Sequence, residues 1–158
     1  GGALYDWGAH YVDWILHVVP KKMVSITGFF HKRVWMDATN EDHVEAIVRF
    51  EGGEVANLQQ SHIARAAKPR WRILGTKGAI VDQAGSFRVY TEAGGLPAHL
   101  DVPYQKSHWE AYYATVADHL LRRKPLAVTA ESARRVIEVI EFAERSAKAG
   151  KTIPVQYP

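Results

Sequence analysis

No cysteine occurs among the 158 residues, so disulfides and thiolate metal sites are excluded. The absence fits a reducing, cytoplasmic compartment. Long apolar runs are also missing: none approaches the ~18 residues of a membrane-spanning helix. There is no strong charge of one sign. Twenty Lys and Arg stand against seventeen Asp and Glu, a formal net charge of +3. The basic residues are scattered apart from short groups such as Arg122-Arg123-Lys124, so neither nucleic acid nor membrane is indicated as a partner. Internal repeats, low-complexity tracts and linkers are absent too, and residues 1–158 read as a single domain by size. Gly1-Gly2 opens directly into patterned sequence with no signal peptide, from which a natural beginning upstream is expected. What remains is 47% hydrophobic and 23% charged, the balance of a soluble globular protein with one substantial core.

Helical periodicity runs from 4 to 19, with Leu4, Tyr5, Val12, Ile15, Leu16 and Val19 on one broad face, and Pro20 stops it. Residues 23–36 read as a strand with Gly28 as a bend or bulge. Residues 41–51 alternate: Val44, Ala46, Val48 and Phe50 point one way, His43, Glu45, Ile47 and Arg49 the other. Gly52-Gly53 then turns the chain into a returning strand over 54–63. Short strands follow at 71–74, 79–82 and 86–91, the first two joined by the turn Gly75-Thr76-Lys77-Gly78. Residues 92–106, with two Gly and two Pro, read as a loop holding at most a short edge strand.

A second amphipathic helix covers 108–123, with Trp109, Tyr112, Tyr113, Val116 and Leu120 as its apolar face. A third covers 129–149, capped by Thr129 and ended by Gly150. The pattern predicts an α+β fold: a large, mainly antiparallel open sheet with three helices packed on one face. Ile47, Leu58 and several aromatics leave the other face only partly polar, which predicts a covered surface, as in a homodimer or tetramer joined through the sheet.

The sharpest chemical feature lies on the first helix. Asp6, His10, Asp13 and His17 recur at i, i+4, i+7 and i+11, opposite the apolar face. A carboxylate one turn from an imidazole can orient the ring and select its tautomer, as a general acid/base histidine requires. The same stripe also reads as the solvated face of an amphipathic helix. A His/Asp metal site is a lesser alternative, and the motif H-E-x-x-H is absent.

The stretch from Gly1 to Asp13, GGALYDWGAHYVD, resembles the signature G-G-x-L-x-D-x-G-x-H-x-x-D of the Gfo/Idh/MocA oxidoreductases. Ile73 to Ile80, ILGTKGAI, is similar to the same family's i-x-G-T-x-G-x-l turn. The last helix and its sequel Ile153-Pro154-Val155 are similar to its usual ending. The resemblance covers nearly the whole chain and implies the carboxy-terminal domain of a two-domain enzyme. A Rossmann domain holding NAD or NADP would precede it, and the substrates are sugars, polyols or inositols.

The family's D-x-x-x-H pair, which faces the nicotinamide, matches Asp6 and His10. His10 is then the base that takes a hydroxyl proton, with Asp6 holding it. A lysine from an E-K-P motif in the Rossmann domain completes such a site. Neither that domain nor a G-x-G-x-x-G motif is in this chain, so the chain alone is expected to be inactive. The family's strand ahead of the double glycine is also absent. Asp13 matches the last signature position, as a substrate contact or as a support of the helix. His62, Arg65 and Lys68 follow a strand and could meet substrate hydroxyls. His99, Tyr104 and His108 could rim a pocket, while Trp14, Trp35, Trp71 and Trp109 read as core or interface. Two other functions stay open: a non-catalytic oligomerisation or ligand-binding domain of the same fold, and a lyase or hydrolase that uses tightly bound NAD.

Overall fold

In the computed structural model, which describes residues 2–155, the chain begins with α1 (Trp7–Val18), β1 (Met23–His31), β2 (His43–Phe50) and β3 (Val55–Ser61). There follow β4 (Arg72–Gly75), β5 (Gly78–Asp82), β6 (Ser86–Ala93) and β7 (Leu96–Pro103). Then come α2 (Glu110–Arg122), α3 (Ala130–Ala149) and the short β8 (Ile153–Pro154). Two units result, one from residues 1–64 with 126–158 and the other from residues 65–125. Gly1, half of the double glycine, lies outside the described residues. The class is α+β, but the strands form two four-stranded sheets, ordered β3-β2-β1-β8 and β4-β5-β6-β7, where one large sheet was expected. All the strand pairings are antiparallel. The sheet does not run on past β3 because residues 62–71 carry Pro69 and no glycine, and so lack the chemistry of a tight hairpin return.

In the first unit α1 and α3 cover one face of the sheet. Val12, Ile15 and Leu16 line an interior space with Ala46, Val48, Ala56, Leu58 and Val139. Val44, Ala46, Val48 and Phe50 are all buried, as their alternation predicts. Leu58 corrects the expectation for the far face. It pairs with Ala46 and is only 9% exposed, so it belongs to the helix-covered side. Ile47 does face the other way, in a row with Thr27 and Asn57.

Gly28 is a second correction. It sits in regular register opposite Ala46, and the irregularity of β1 falls between Met23 and Ser25. Glycine is required at 28 by close packing: a β-carbon there would stand 2.0 Å from the carbonyl oxygen of Ala143 in α3. Beyond the reach of β8, the Gly28 amide donates to Ser146 Oγ at 3.0 Å. That hydroxyl in turn donates to the Lys151 carbonyl at 2.6 Å. The third helix starts and stops as expected. Thr129 accepts from the Ser132 amide in a capping box, and Gly150 ends the helix at φ 62°.

The second unit departs further from expectation. Residues 92–106 hold most of a full hairpin, in which β6 and β7 pair from Ser86↔Pro103 to Ala93↔Leu96. Gly94 and Gly95 both have positive φ, 60° and 79°, as a two-residue turn of the primed type demands. Pro97 and Pro103 are tolerated because β7 is an edge strand. Helix α2 buries none of its residues, and Trp109, Tyr113 and Leu120 on its apolar stripe are exposed. Within the first unit two helices, α1 and α3, pack on the sheet, where three were expected on one large sheet. Among the described residues no helix is long and apolar enough to cross a membrane.

Candidate functional site

The solvent side of α1 carries the predicted stripe. Its first turn is set by Gly8, whose missing side chain lets the helix press on β3. A β-carbon at position 8 would meet Gln60 Oε1 at 2.8 Å and Leu4 Cδ1 at 2.9 Å. Leu4, in the turn before the helix, is fully buried and anchors that end. The helix proper begins at Trp7, and Asp6 is its N-terminal flank with ψ −106° and no capping hydrogen bond from its side chain. Asp6 is thus outside the helical repeat from which its alignment with His10 was predicted. Both residues are exposed, and among the described residues no hydrogen bond or ion pair joins them.

His10 lies instead between two indoles. Its ring centroid is 5.4 Å from that of Trp7 and 6.4 Å from that of Trp14. Trp7 is 57% exposed and Trp14 37%, so of the two readings for Trp14, core or interface, burial in the core does not hold. Tyr11 completes the group, edge-on to Trp14 at 5.5 Å. Further along, Asp13 faces His17 across 3.7 Å. The signal that could have disclosed this arrangement was the spacing of Trp7, His10 and Trp14, three and four residues apart.

At the end of the same sheet a residue that sequence reasoning passed over organises the chain. Asp42 is 1% exposed, and its Oδ2 accepts the amides of Val34, Arg33 and Trp35 at 2.6, 2.8 and 3.2 Å. Its own amide donates to His31, and its carbonyl accepts from His62. The Val34 amide, with those of Arg33 and Trp35, holds the Asp42 carboxyl below the usual carboxylate range against the opposing effect of burial. The expected strand over 23–36 therefore stops at His31, because the following amides turn inward to this carboxylate. His62 is fixed at the same end, with its ring 5.2 Å from that of Trp35.

A carboxyl whose folded pKa is depressed contributes stability above its unfolded pKa, about 3.9. That stability is lost as pH falls through the folded value. Asp42→Asn is accordingly expected to melt lower than the parent at pH 7, with the gap narrowing below about pH 4. Melting curves across that range check it, and a gap independent of pH would contradict it.

Of the remaining candidates, Arg65 and Lys68 belong to the second unit and are exposed on the approach to β4. Within that unit, Tyr104 donates to Asp82 at 2.5 Å. His99 lies 6.3 Å from the ring of Tyr90, and His108 is 3.0 Å from Glu110. Gly75 and Gly78 face each other in the β4–β5 hairpin, so that motif is a turn and not a phosphate cradle. Among the described residues no group of three or more His, Cys, Asp or Glu is arranged to hold a metal. All the pairings being antiparallel, the described strands include no parallel crossover unit of the kind that seats a dinucleotide pyrophosphate on a helix N-terminus.

A signature-bearing helix on a helix-covered antiparallel sheet defines a domain class. The family model of the GFO/IDH/MocA C-terminal domain matches residues 1–81, and the chain belongs to that family. No curated protein matches the sequence. Among solved structures, yvaA of Bacillus subtilis superposes with a TM-score of 0.89 at 23% identity, over 99% of this chain and 51% of that one. An NAD-binding protein from Listeria innocua gives 0.80 at 22%, over 98% and 48%. An oxidoreductase from Agrobacterium radiobacter, in complex with NAD+, L-tartaric acid and magnesium, gives 0.77 at 19%, over 96% and 48%. At these identities the likeness is one of fold. The chain spans about half the length of each of these proteins.

Proposed function

We propose that this chain is the substrate-binding and catalytic half of a nicotinamide-dependent dehydrogenase that oxidises a hydroxyl of a sugar, polyol or inositol. The observation that carries the reading is the exposed imidazole of His10 on α1, at the histidine position of the signature that the sequence resembles. A nicotinamide held by the remainder of the full-length protein would supply the hydride acceptor. His10 takes the hydroxyl proton at a ring nitrogen as the carbon–hydrogen bond breaks. Asp6, beside the positive end of α1, disperses the charge gained there. Asp13 and His62, in the same unit, offer hydrogen bonds to further substrate hydroxyls. L-Tartaric acid, bound by the Agrobacterium radiobacter relative, is a small polyhydroxylated molecule and supports that substrate class.

The test is nicotinamide reduction by the full-length protein, followed spectrophotometrically with NAD and NADP over a panel of sugars, polyols and inositols. Net reduction with at least one compound supports a dehydrogenase. Turnover without net reduction would instead favour a lyase or hydrolase cycle.

The reading extends to assembly. The face of the first sheet opposite α1 and α3 mixes Ile47, Phe29 and Val55 with Thr27, Glu45, Asn57 and Gln59. It is too apolar for bare solvent and too polar for a sealed core. A second copy packed on it face to face, burying more than ~1,000 Å², accounts for that composition. Sedimentation should therefore give a dimer or tetramer, and a monomer at high micromolar concentration would reject the idea.

A further inference from the structure

An exposed histidine on a helix samples more than one staggered rotamer, whereas proton transfer needs one ring orientation held against the substrate. A hydrogen-bonded carboxylate commonly supplies that orientation, yet Asp6 makes no such bond with His10 among the described residues. The rings of Trp7 and Trp14 do touch the space the imidazole could sweep, at centroid separations of 5.4 and 6.4 Å and interplanar angles of 54° and 37°. The arrangement follows from helix geometry. Side chains lean toward the N-terminus, so His10 leans over Trp7 and Trp14 leans over His10. Tyr11 braces both indoles, 6.3 Å from Trp7 and 5.5 Å from Trp14. Both contacts are tilted, ring against ring, and among the described residues no hydrogen bond occupies the His10 nitrogens.

We propose that Trp7 and Trp14 are positioning residues that fix the rotamer of His10 by flanking its ring, in the place of a carboxylate partner. The proposal rests on the reading of His10 as the base, but its geometry is tested separately. The probe is the chain labelled on histidine and observed by NMR, with the His10 signals assigned by H10Q. In the parent the His10 ring protons should be displaced upfield by the two indoles, with couplings of a single rotamer. Trp7→Leu and Trp14→Leu should each reduce the displacement and average the couplings, while Trp7→Phe and Trp14→Phe should retain most of both.

A second arm uses the full-length protein. There the leucine variants should lower kcat roughly 3–10-fold with KM within about twofold, since misplacement of a reacting group penalises turnover. The phenylalanine variants should recover most of the loss. Parent His10 signals already matching those of exposed His17, or unmoved by both leucine changes, would overturn the proposal. If H10A abolishes turnover while the leucine variants keep full kcat, the positioning role also falls. If H10A keeps full turnover while the NMR signatures hold, it is the assignment of His10 as base that fails.

Discussion

Alanine at position 28 will lower the melting temperature of the chain by roughly 6–12 °C. Ordinarily the change would help, because glycine within a strand is about 0.5–1 kcal/mol worse than alanine. Here the added methyl would lie 2.0 Å from a backbone carbonyl oxygen of α3, and a main-chain atom cannot swing aside as a side-chain tip can. Either α3 lifts from β1 or β1 moves away, and each motion also strains the Gly28 amide bond to buried Ser146. Overpacking typically costs 1–3 kcal/mol, and this contact belongs at or beyond ~3. At ~2–4 °C per kcal/mol for a chain of this size, the stated range follows. Heat unfolding checks it, and a variant within ~2 °C of the parent would mean that α3 is not seated on Gly28.

The second large effect concerns His10. In the full-length protein, His10→Ala should lower kcat by ~10²–10⁴ with a much smaller change in KM, the contribution of a positioned general base. That loss corresponds to roughly 3–5 kcal/mol of barrier. Asp6→Asn should cost less than about tenfold, because a general base is worth ~10²-fold or more and among the described residues no hydrogen bond joins Asp6 to His10. Steady-state kinetics on the best compound of the panel separates the two. Near-normal turnover of the His10 variant at neutral pH would place the base elsewhere.

Period-two alternation and helical periodicity made β2, α1 and α3 legible, since burial on one face imposes them. The Thr129 and Gly150 signals placed the ends of α3 for the same kind of local reason. What depended on distant partners did not show. Gly28 looked like a bend because its real partner, Ala143, lies far along the chain. The side of the sheet on which Leu58 falls is fixed by the register of β3 against β2, which a one-residue shift would invert. Gly94-Gly95 was obscured by the prolines around it, which a central strand would not accept but an edge strand does. In the candidate site the spacing of Asp6 and His10 was correct as sequence. The helix starts one residue after Asp6, so Asp6 flanks the repeat that carries His10, Asp13 and His17. Asp42 gave no signal, since its role comes from three backbone amides that no side chain announces.

The order in which the first unit is synthesised has a consequence of its own. Gly28 leaves the ribosome 118 residues before Ser146, the residue that binds its amide. At ~5–20 residues per second, that gap lasts roughly 6–24 s. Throughout it, the buried side of β1, β2 and β3 has α1 but lacks α3, and Ile26 and Val44 await a helix not yet made. The whole second unit is translated within that interval. A nascent chain held at residue 125 should therefore be a better substrate for chaperones than the finished one. Changes that slow translation between residues 65 and 125 should lower the soluble yield without altering the stability of the protein once folded.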